Sequence, residues 1–173
     1  INTMKINRLG KGFFLLSLLA LTSLSALGQK NKLEKQEQIK KLLESRVFVF
    51  NPQSATPSSG GMIQLTSEFF VKIRQDTLES NLPYYGVNNQ PGFGIAERPL
   101  EFTSYDFDYE MKTMKNGSYD ITIRLNDPSD PDLLNFSIST SGYATLRVTS
   151  NMRQPISFYG DIDAPRPPRK SNR

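Results

Sequence analysis

The spacing of apolar residues changes once along this chain, near Ser45. Before that point, Ile39, Leu42 and Leu43 stand at i, i+3 and i+4 within the Lys/Glu/Gln-rich stretch from Gln29 to Ser45. This spacing predicts an amphipathic helix with one narrow apolar stripe. After Ser45 apolar and polar residues alternate in a series of short segments, which is the period of a β-strand. The pattern therefore predicts one N-terminal helix followed by a β domain.

The first predicted strands are short and are separated by turn-forming residues. Arg46 to Phe50 alternates and is expected to end at Asn51-Pro52, because the Ser/Thr/Pro/Gly-rich stretch from Gln53 to Gly61 is typical of a loop. The next strands are expected at Met62–Thr66, Phe69–Arg74 and Thr77–Leu82. Tyr84 to Pro99 contains three Gly and two Pro, so we expect a long irregular segment there.

The clearest alternation lies in the second half of the chain. Aromatic and apolar residues from Tyr105 to Met111 alternate with acidic residues and Lys, and a similar pattern runs from Tyr119 to Leu125. Asn116-Gly117 stands between them and predicts a type I′ hairpin turn. Further strands are expected at Leu134–Ile138, Ala144–Val148 and Ile156–Ile162, with a second turn at Ser141-Gly142.

These segments amount to eight or nine consecutive antiparallel strands joined mainly by short links. A meander of this size resolves its open edges by curling and closing. We predict a mainly β fold in which the meander forms a small barrel or a strongly curved sheet, lipocalin-like in shape. The N-terminal α-helix is expected across one end or one face. A small barrel either fills with its own side chains or holds one ligand, and the pattern leaves these two possibilities open.

Residues 4–28 have the three parts of a secretory signal. Three basic residues follow Met4, an apolar block runs from Phe13 to Leu27, and small residues occupy positions 26 and 28. A membrane anchor is the alternative, but the block is shorter than the roughly 20 apolar residues that a spanning helix needs. We expect cleavage between Gly28 and Gln29. The predicted organisation is a signal peptide with upstream residues at 1–28, one barrel-like domain with its helix at 29–163, and a disordered Pro/Arg tail at 164–173.

The signal changes the interpretation of charge. The chain has 21 Lys and Arg against 17 Asp and Glu, and removal of residues 1–28 leaves 18 against 17. Four of those 18 basic residues lie in the last eight positions, so the body of the domain is slightly acidic. A nucleic-acid-binding domain needs a basic face on its body, and we therefore expect no nucleic-acid partner. The absence of Cys excludes a lipid-modified cysteine, and no membrane span is expected after cleavage.

The residue types available for catalysis are few. Without His and Cys, the common imidazole base and thiol nucleophile are missing, as are zinc sites built from those residues. Asp106, Asp108 and Glu110 share one strand face, about 6.5 to 7 Å apart by strand rise, but a wet sheet face does not shift a carboxyl pKa as catalysis requires. The aspartates within 127–132 lack the spacing of a calcium loop. We expect no catalytic residue, metal site or cofactor.

The best candidate for a binding surface is the segment around two adjacent tyrosines. Tyr84 and Tyr85 stand on a Pro/Gly frame, with Phe93 further along the same segment. Their rings offer rigid, amphipathic contact area for a ligand. The alternative is that the tyrosines cap the end of the barrel and fix the loop, since paired aromatic residues are common packing anchors.

Five short motifs together resemble a known family. They are Ser45–Phe50, Leu65–Ser67, Leu82–Gly86, Gly142–Ser150 and Arg153–Gly160. In order and spacing they are similar to domain-of-unknown-function family 4251, small exported proteins of Bacteroidetes, over roughly Leu33 to Asp163. The resemblance implies a mostly antiparallel β fold with a barrel-like sheet, and it implies no activity or catalytic residue.

The bacterial resemblance also bears on a short motif at Asp76-Thr77-Leu78. It matches the Asp-Ser/Thr-aliphatic pattern of periplasmic O-glycosylation in such bacteria, which makes Thr77 a candidate for modification. The alternative is an ordinary strand entry after a turn.

The sequence thus predicts an exported, non-enzymatic envelope protein, periplasmic or extracellular. It would bind a small apolar or glycan ligand, or a protein partner, at one end of the barrel. The alternative is an accessory or assembly protein of the envelope with a filled barrel and no small-molecule ligand. The content of the barrel interior separates these readings.

Overall fold

The computed structural model describes residues 29–86, 99–127 and 131–166. Residues 29–44 form helix α1, and the chain divides into two compact units between Lys35 and Gln36. In the first unit, residues 29–35 are helical and carry an exposed i,i+4 ion pair of 3.9 Å between Lys30 and Glu34. The predicted signal peptide lies outside the described residues. Among the residues described, no helix is long and apolar enough to cross a membrane.

The second unit contains all the strands of the described chain, and every pairing between them is antiparallel. Their bounds are β1 (Val47–Pro57), β2 (Ile63–Gln64), β3 (Phe70–Arg74), β4 (Thr77–Leu82), β5 (Leu100–Ser104), β6 (Phe107–Thr113), β7 (Tyr119–Leu125), β8 (Leu133–Ile138), β9 (Tyr143–Thr149) and β10 (Ile156–Asp163).

The sheet is a meander whose first and last strands pair with each other. β1 lies between β10 and β3; the order continues through β4 to β5 on one side and through β9, β8 and β7 to β6 on the other. Short β2 adds to the second half of β1. Nine strands thus form a nearly closed barrel-shaped sheet, as predicted. The opening lies between β5 and β6, which are consecutive in the chain and joined by Tyr105 and Asp106.

The prediction that the first strand ends at Asn51-Pro52 was wrong. β1 continues to Pro57, with an irregularity in its pairing to β10 between Pro52 and Ser54. Proline has no backbone N–H to give to a ladder and is tolerated at such bulges. On the other side of β1, pairing with β3 ends at Phe50 and pairing with β2 begins at Ser54. Pro52 therefore lies between two partner strands, where its missing N–H costs no ladder hydrogen bond.

Two further details differ from the alternation pattern. Tyr105 is not the start of a strand with a buried face: it is 74% exposed and lies in the corner between β5 and β6. The Asn116-Gly117 turn is not type I′, because Gly117 has a φ of 83° whereas Asn116 does not have a positive φ. The Gly117 N–H donates to the Met114 carbonyl at 2.9 Å. Residues 114–117 therefore form a β-turn, and Gly117, its last residue, forms a G1 bulge.

Candidate functional site

The barrel interior is filled by its own side chains. Phe136 lies at the centre of an aromatic cluster, with its ring centroid 6.2 Å from Phe48 and 5.5 Å from Phe50, both edge to face. Aliphatic residues of the same inward rows complete the core, among them Ile73, Leu78, Ile121, Ile123, Leu134 and Leu146, each no more than 1% exposed. In the described part of the molecule, these side chains therefore occupy the interior. Of the two possibilities that the sequence left open, the packing supports a barrel filled with its own side chains.

One end of the barrel is covered by the second part of α1, residues 36–44. Ile39 and Leu43 are buried, as the apolar stripe predicted. Gly142, in the β8–β9 turn with a φ of 93°, lies directly under Ile39: a Cβ there would be 2.8 Å from Ile39 Cδ1. The left-handed backbone and this contact both favour glycine at the turn. The helix thus seats on the hairpin turns at that end.

The C-terminal end of α1 is held to β6 by a half-buried tyrosine. The Tyr109 hydroxyl donates to the Leu43 carbonyl at 2.9 Å. That carbonyl lies in the last turn of α1 and also accepts from the Arg46 N–H at 3.2 Å. The Arg46 guanidinium lies 4.9 Å from the centroid of the Tyr109 ring. Burial raises the pKa of Tyr109 well above its ordinary value of 10.0, and the positive charge of Arg46 offsets part of that rise. The contact joins the end of α1 to β6.

The opposite end contains the predicted ligand-binding tyrosines. Tyr84 is only 3% exposed; its hydroxyl donates to the Gln154 carbonyl at 3.1 Å, and the Arg153 guanidinium lies 5.1 Å from its ring centroid. Tyr85 is half-buried and packs against the core. Phe93 lies outside the described residues. The burial of Tyr84 is what the packing alternative requires, and ligand binding at this end stays a prediction.

Thr77, the candidate for modification, is the first residue of β4. It is half-buried and stands opposite Arg74 at the tip of the β3–β4 hairpin, directly after exposed Asp76. Its modification stays a prediction.

The three acidic residues of β6 and its entry lie at the surface of the barrel. Asp106, Asp108 and Glu110 are all exposed. The Asp106 Oδ1 atom accepts a hydrogen bond from the Asn126 amide at 3.1 Å, and Glu110 pairs with Lys112 at 2.9 Å. Among the described residues, no group of three or more acidic residues is placed to hold a metal ion.

A half-open groove lies on the outer face of the barrel across β3, β1 and β10, and we call it the outer groove. Its volume is about 500 Å³. It is lined by Val49, Asn51, Glu68, Phe70, Lys72, Arg74, Asp161, Asp163, Ala164, Pro165 and Arg166. The strands supply its floor, and residues 164–166 after β10 contribute to its lining. The Ala164 N–H donates to Asp163 Oδ1 at 2.8 Å, which fixes the start of that segment.

Strand register gives the outer groove a charge gradient. Lys72, Val49 and Asp163 are paired in one row across β3, β1 and β10, so a cation and an anion flank an apolar residue. Two strand spacings separate them, roughly 10 Å. Lys72 is also held in place, with its Nζ atom 3.4 Å from the Phe70 ring centroid and 3.6 Å from Glu79. Exposed Arg74 extends the basic side.

On the acidic side, Asp161 is fixed by two amides. The Gln53 amide donates to Asp161 Oδ1 at 2.9 Å, and the Asn51 amide donates to Oδ2 at 3.5 Å. The groove is therefore amphipathic, with ordered polar groups on both sides of an apolar strip. It could accept a ligand that carries opposite charges at its two ends.

Sequence reasoning missed the outer groove because its residues come from three segments. The local signal was present: Phe70, Lys72 and Arg74 occupy alternate outward positions, as do Asp161 and Asp163. The pairing of β1 with both β3 and β10 brings these rows together.

Comparison with known proteins agrees with the fold. A crystal structure of a DUF4251 family protein from Bacteroides eggerthii is similar, with a TM-score of 0.55, 16% sequence identity, and coverage of 75% of this chain and 87% of that one. At this identity the likeness shows the fold alone. No curated protein matches the chain. The sequence model described as "Domain of unknown function (DUF4251)" matches residues 30–162, which is most of the sequence, and the chain therefore belongs to the DUF4251 family.

Proposed function

We propose that this chain is an exported, non-enzymatic accessory protein of the bacterial envelope, which binds an extended protein segment of mixed charge in the outer groove. The observation that carries the proposal is the contrast between a filled interior and an amphipathic groove of about 500 Å³ outside it. Small-ligand barrels keep their site inside the sheet. Here the inward side chains pack against one another, so the outer face of the sheet is what remains for binding a partner.

The chemistry of the groove favours a peptide as its occupant. The row of Lys72, Val49 and Asp163 offers complementary charge to an acidic and a basic side chain, with an apolar contact between them. A separation of roughly 10 Å corresponds to about three residues of extended chain. Export rests on the signal predicted at residues 4–28, and a bacterial envelope is supported by the Bacteroides origin of the structural neighbour.

The test is selection of peptides from a displayed library of random dodecapeptides on the immobilised mature protein. Enriched peptides are expected to carry an acidic and a basic residue about three positions apart around an apolar residue. The Asp163→Lys variant should bind those peptides up to about fivefold more weakly, because an exposed ion pair contributes up to about 1 kcal/mol. Asp108→Lys makes the same charge change at an exposed position of β6 and should have no effect.

Two results would contradict the proposal. One is the absence of any enrichment beyond that on the immobilisation surface alone. The other is equal loss of binding in the Asp163→Lys and Asp108→Lys variants, which would indicate attraction by overall charge and not by the groove.

A further inference from the structure

We infer that a second surface, on the outer face of β7 to β10, binds a neutral oligosaccharide. It centres on two tyrosines that the sequence analysis did not single out. Tyr143 of β9 and Tyr159 of β10 lie side by side with ring planes 8° apart and centroids 6.2 Å apart. They are 53% and 47% exposed, although large apolar surfaces are usually buried.

Asp161 of β10 stands opposite Tyr143, and on the β8 side of the pair the residues are small and polar. Two adjoining shallow depressions of about 280 and 420 Å³ share Ser137 and Thr145. The depressions exist because outward positions of β7, β8 and β9 carry Ser, Thr and Asn next to the large tyrosine rings. We call the combined surface the tyrosine platform; it consists of Tyr143, Tyr159, Thr145, Ser137, Asn135 and Arg147.

Strand register arranges the hydrogen-bonding groups of the platform in two parallel rows. Tyr159 is paired with Thr145 and Thr145 with Ser137; the second row pairs Arg147 with Asn135. The rows are two residues apart along the strands, roughly 7 Å. From Tyr143 to Arg147 the platform extends about 13 Å, which suits two or three linked hexose rings.

Two of these polar groups are oriented by neighbouring side chains of β7. The Ser137 hydroxyl donates to Asp120 Oδ1 at 2.7 Å, and the Thr122 hydroxyl donates to Asn135 Oδ1 at 3.2 Å. The second contact leaves the Asn135 amide hydrogens directed away from Thr122. Donors and acceptors fixed in advance lower the ordering cost of binding.

The occupant follows from this combination. A pyranose ring has an apolar C–H face, which packs on an aromatic ring, and hydroxyl groups at its edges, which need both donors and acceptors. The platform supplies two half-exposed rings and, beside them, hydroxyl, amide and guanidinium groups. A lipid would leave the polar rows without partners. A nucleic acid would need more positive charge than the single Arg of the platform provides.

The test is a titration of the mature protein with cellotriose, maltotriose and chitotriose, followed by amide chemical shifts in NMR spectra. At least one trisaccharide is expected to shift resonances of β8, β9 and β10. Tyr143→Ala and Tyr159→Ala should each weaken binding about tenfold through the loss of one ring, and the double variant should abolish it. Tyr159→Phe keeps the ring and should bind within about twofold of the unchanged protein.

Tyr105→Ala is the matched control, since Tyr105 is 74% exposed but lies in the β5–β6 corner. It should leave sugar binding unchanged, as should Asp163→Lys in the outer groove, so the two proposals can fail separately. The inference is overturned if none of the three sugars shifts platform resonances at millimolar concentration. It is also overturned if the double alanine variant binds as well as the Tyr105→Ala protein. In either case the pair would be a cross-strand packing contact only.

Discussion

Gly160 is the position where the closure of the barrel is most sensitive to one added atom. It lies in β10 opposite Pro52, at the irregular pairing between the first and last strands. A Cβ on Gly160 would overlap the Asn51 carbonyl oxygen and lie 2.8 Å from Pro52 Cα. Gly160 does not have a positive φ, so alanine fits the backbone there and the whole expected penalty is steric.

The size of that penalty follows from which atoms are in the way. Carbon atoms pack at about 3.5 to 4.0 Å, so β1 and β10 must separate by more than half an ångström. The obstructing atoms are backbone, and on the other side of β10 Gly160 is paired with Ala144 of β9, which limits how far β10 can move away. Overpacking costs about 1 to 3 kcal/mol and occasionally more. We expect Gly160→Ala to lose about 3 kcal/mol of unfolding free energy, a fall in Tm of roughly 10 °C.

The assay is urea unfolding of the mature protein, followed by far-ultraviolet circular dichroism. Gly60→Ala is the control, because Gly60 has a φ of 87° and no atom within 4 Å of an added Cβ. That variant should lose only the backbone strain of a left-handed residue, about 1 kcal/mol. The reasoning is refuted if Gly160→Ala is no less stable than Gly60→Ala.

Four further predictions concern other parts of the chain. Above pH 10 the unfolded state should release the Tyr109 proton while the folded state keeps it, so stability should fall as pH rises. Urea midpoints measured at pH 8 and pH 11 should therefore fall less in Tyr109→Phe than in the unchanged protein. An equally steep fall in the variant would contradict the prediction. Phe136→Ala removes the centre of the aromatic cluster and should cost about 3 to 5 kcal/mol of unfolding free energy, whereas a loss below about 1 kcal/mol would mean that the interior is loosely packed. N-terminal sequencing of protein exported by its own host should begin at Gln29, and a retained apolar block would contradict the predicted cleavage. If Thr77 is glycosylated, intact protein from that host should show an excess mass that Thr77→Val lacks; a mass equal to that of the sequence would exclude the modification.

Sequence pattern alone was sufficient for the elements that depend on local spacing. Burial of Ile39 and Leu43 in α1, and of the inward residues of β7, β8 and β9, follows from helical and strand periods over a few residues. The nearly closed antiparallel barrel also followed, because many consecutive strands with short links have few other arrangements.

Only the tertiary structure decided the features that join distant segments. A proline such as Pro52 normally indicates the end of a strand. On one side of β1, however, Pro52 lies between β3 and β2, and on the other side it lies at a bulge opposite Gly160. Because of this position, β1 continues to Pro57. The alternation at Tyr105 looked like a strand, yet that residue turns the corner at the barrel opening. These outcomes depend on partner strands, which single-strand spacing does not identify.

The candidate surfaces show the same division. The sequence identified two adjacent tyrosines, and the structure places Tyr84 among the core side chains, where its hydroxyl donates to the Gln154 carbonyl. The outer groove and the tyrosine platform each combine residues from strands far apart in the chain, and their outward positions look like ordinary solvated strand faces when read one strand at a time. The register of β1, β9 and β10 makes them surfaces, because only pairing across strands sets which outward side chains are neighbours.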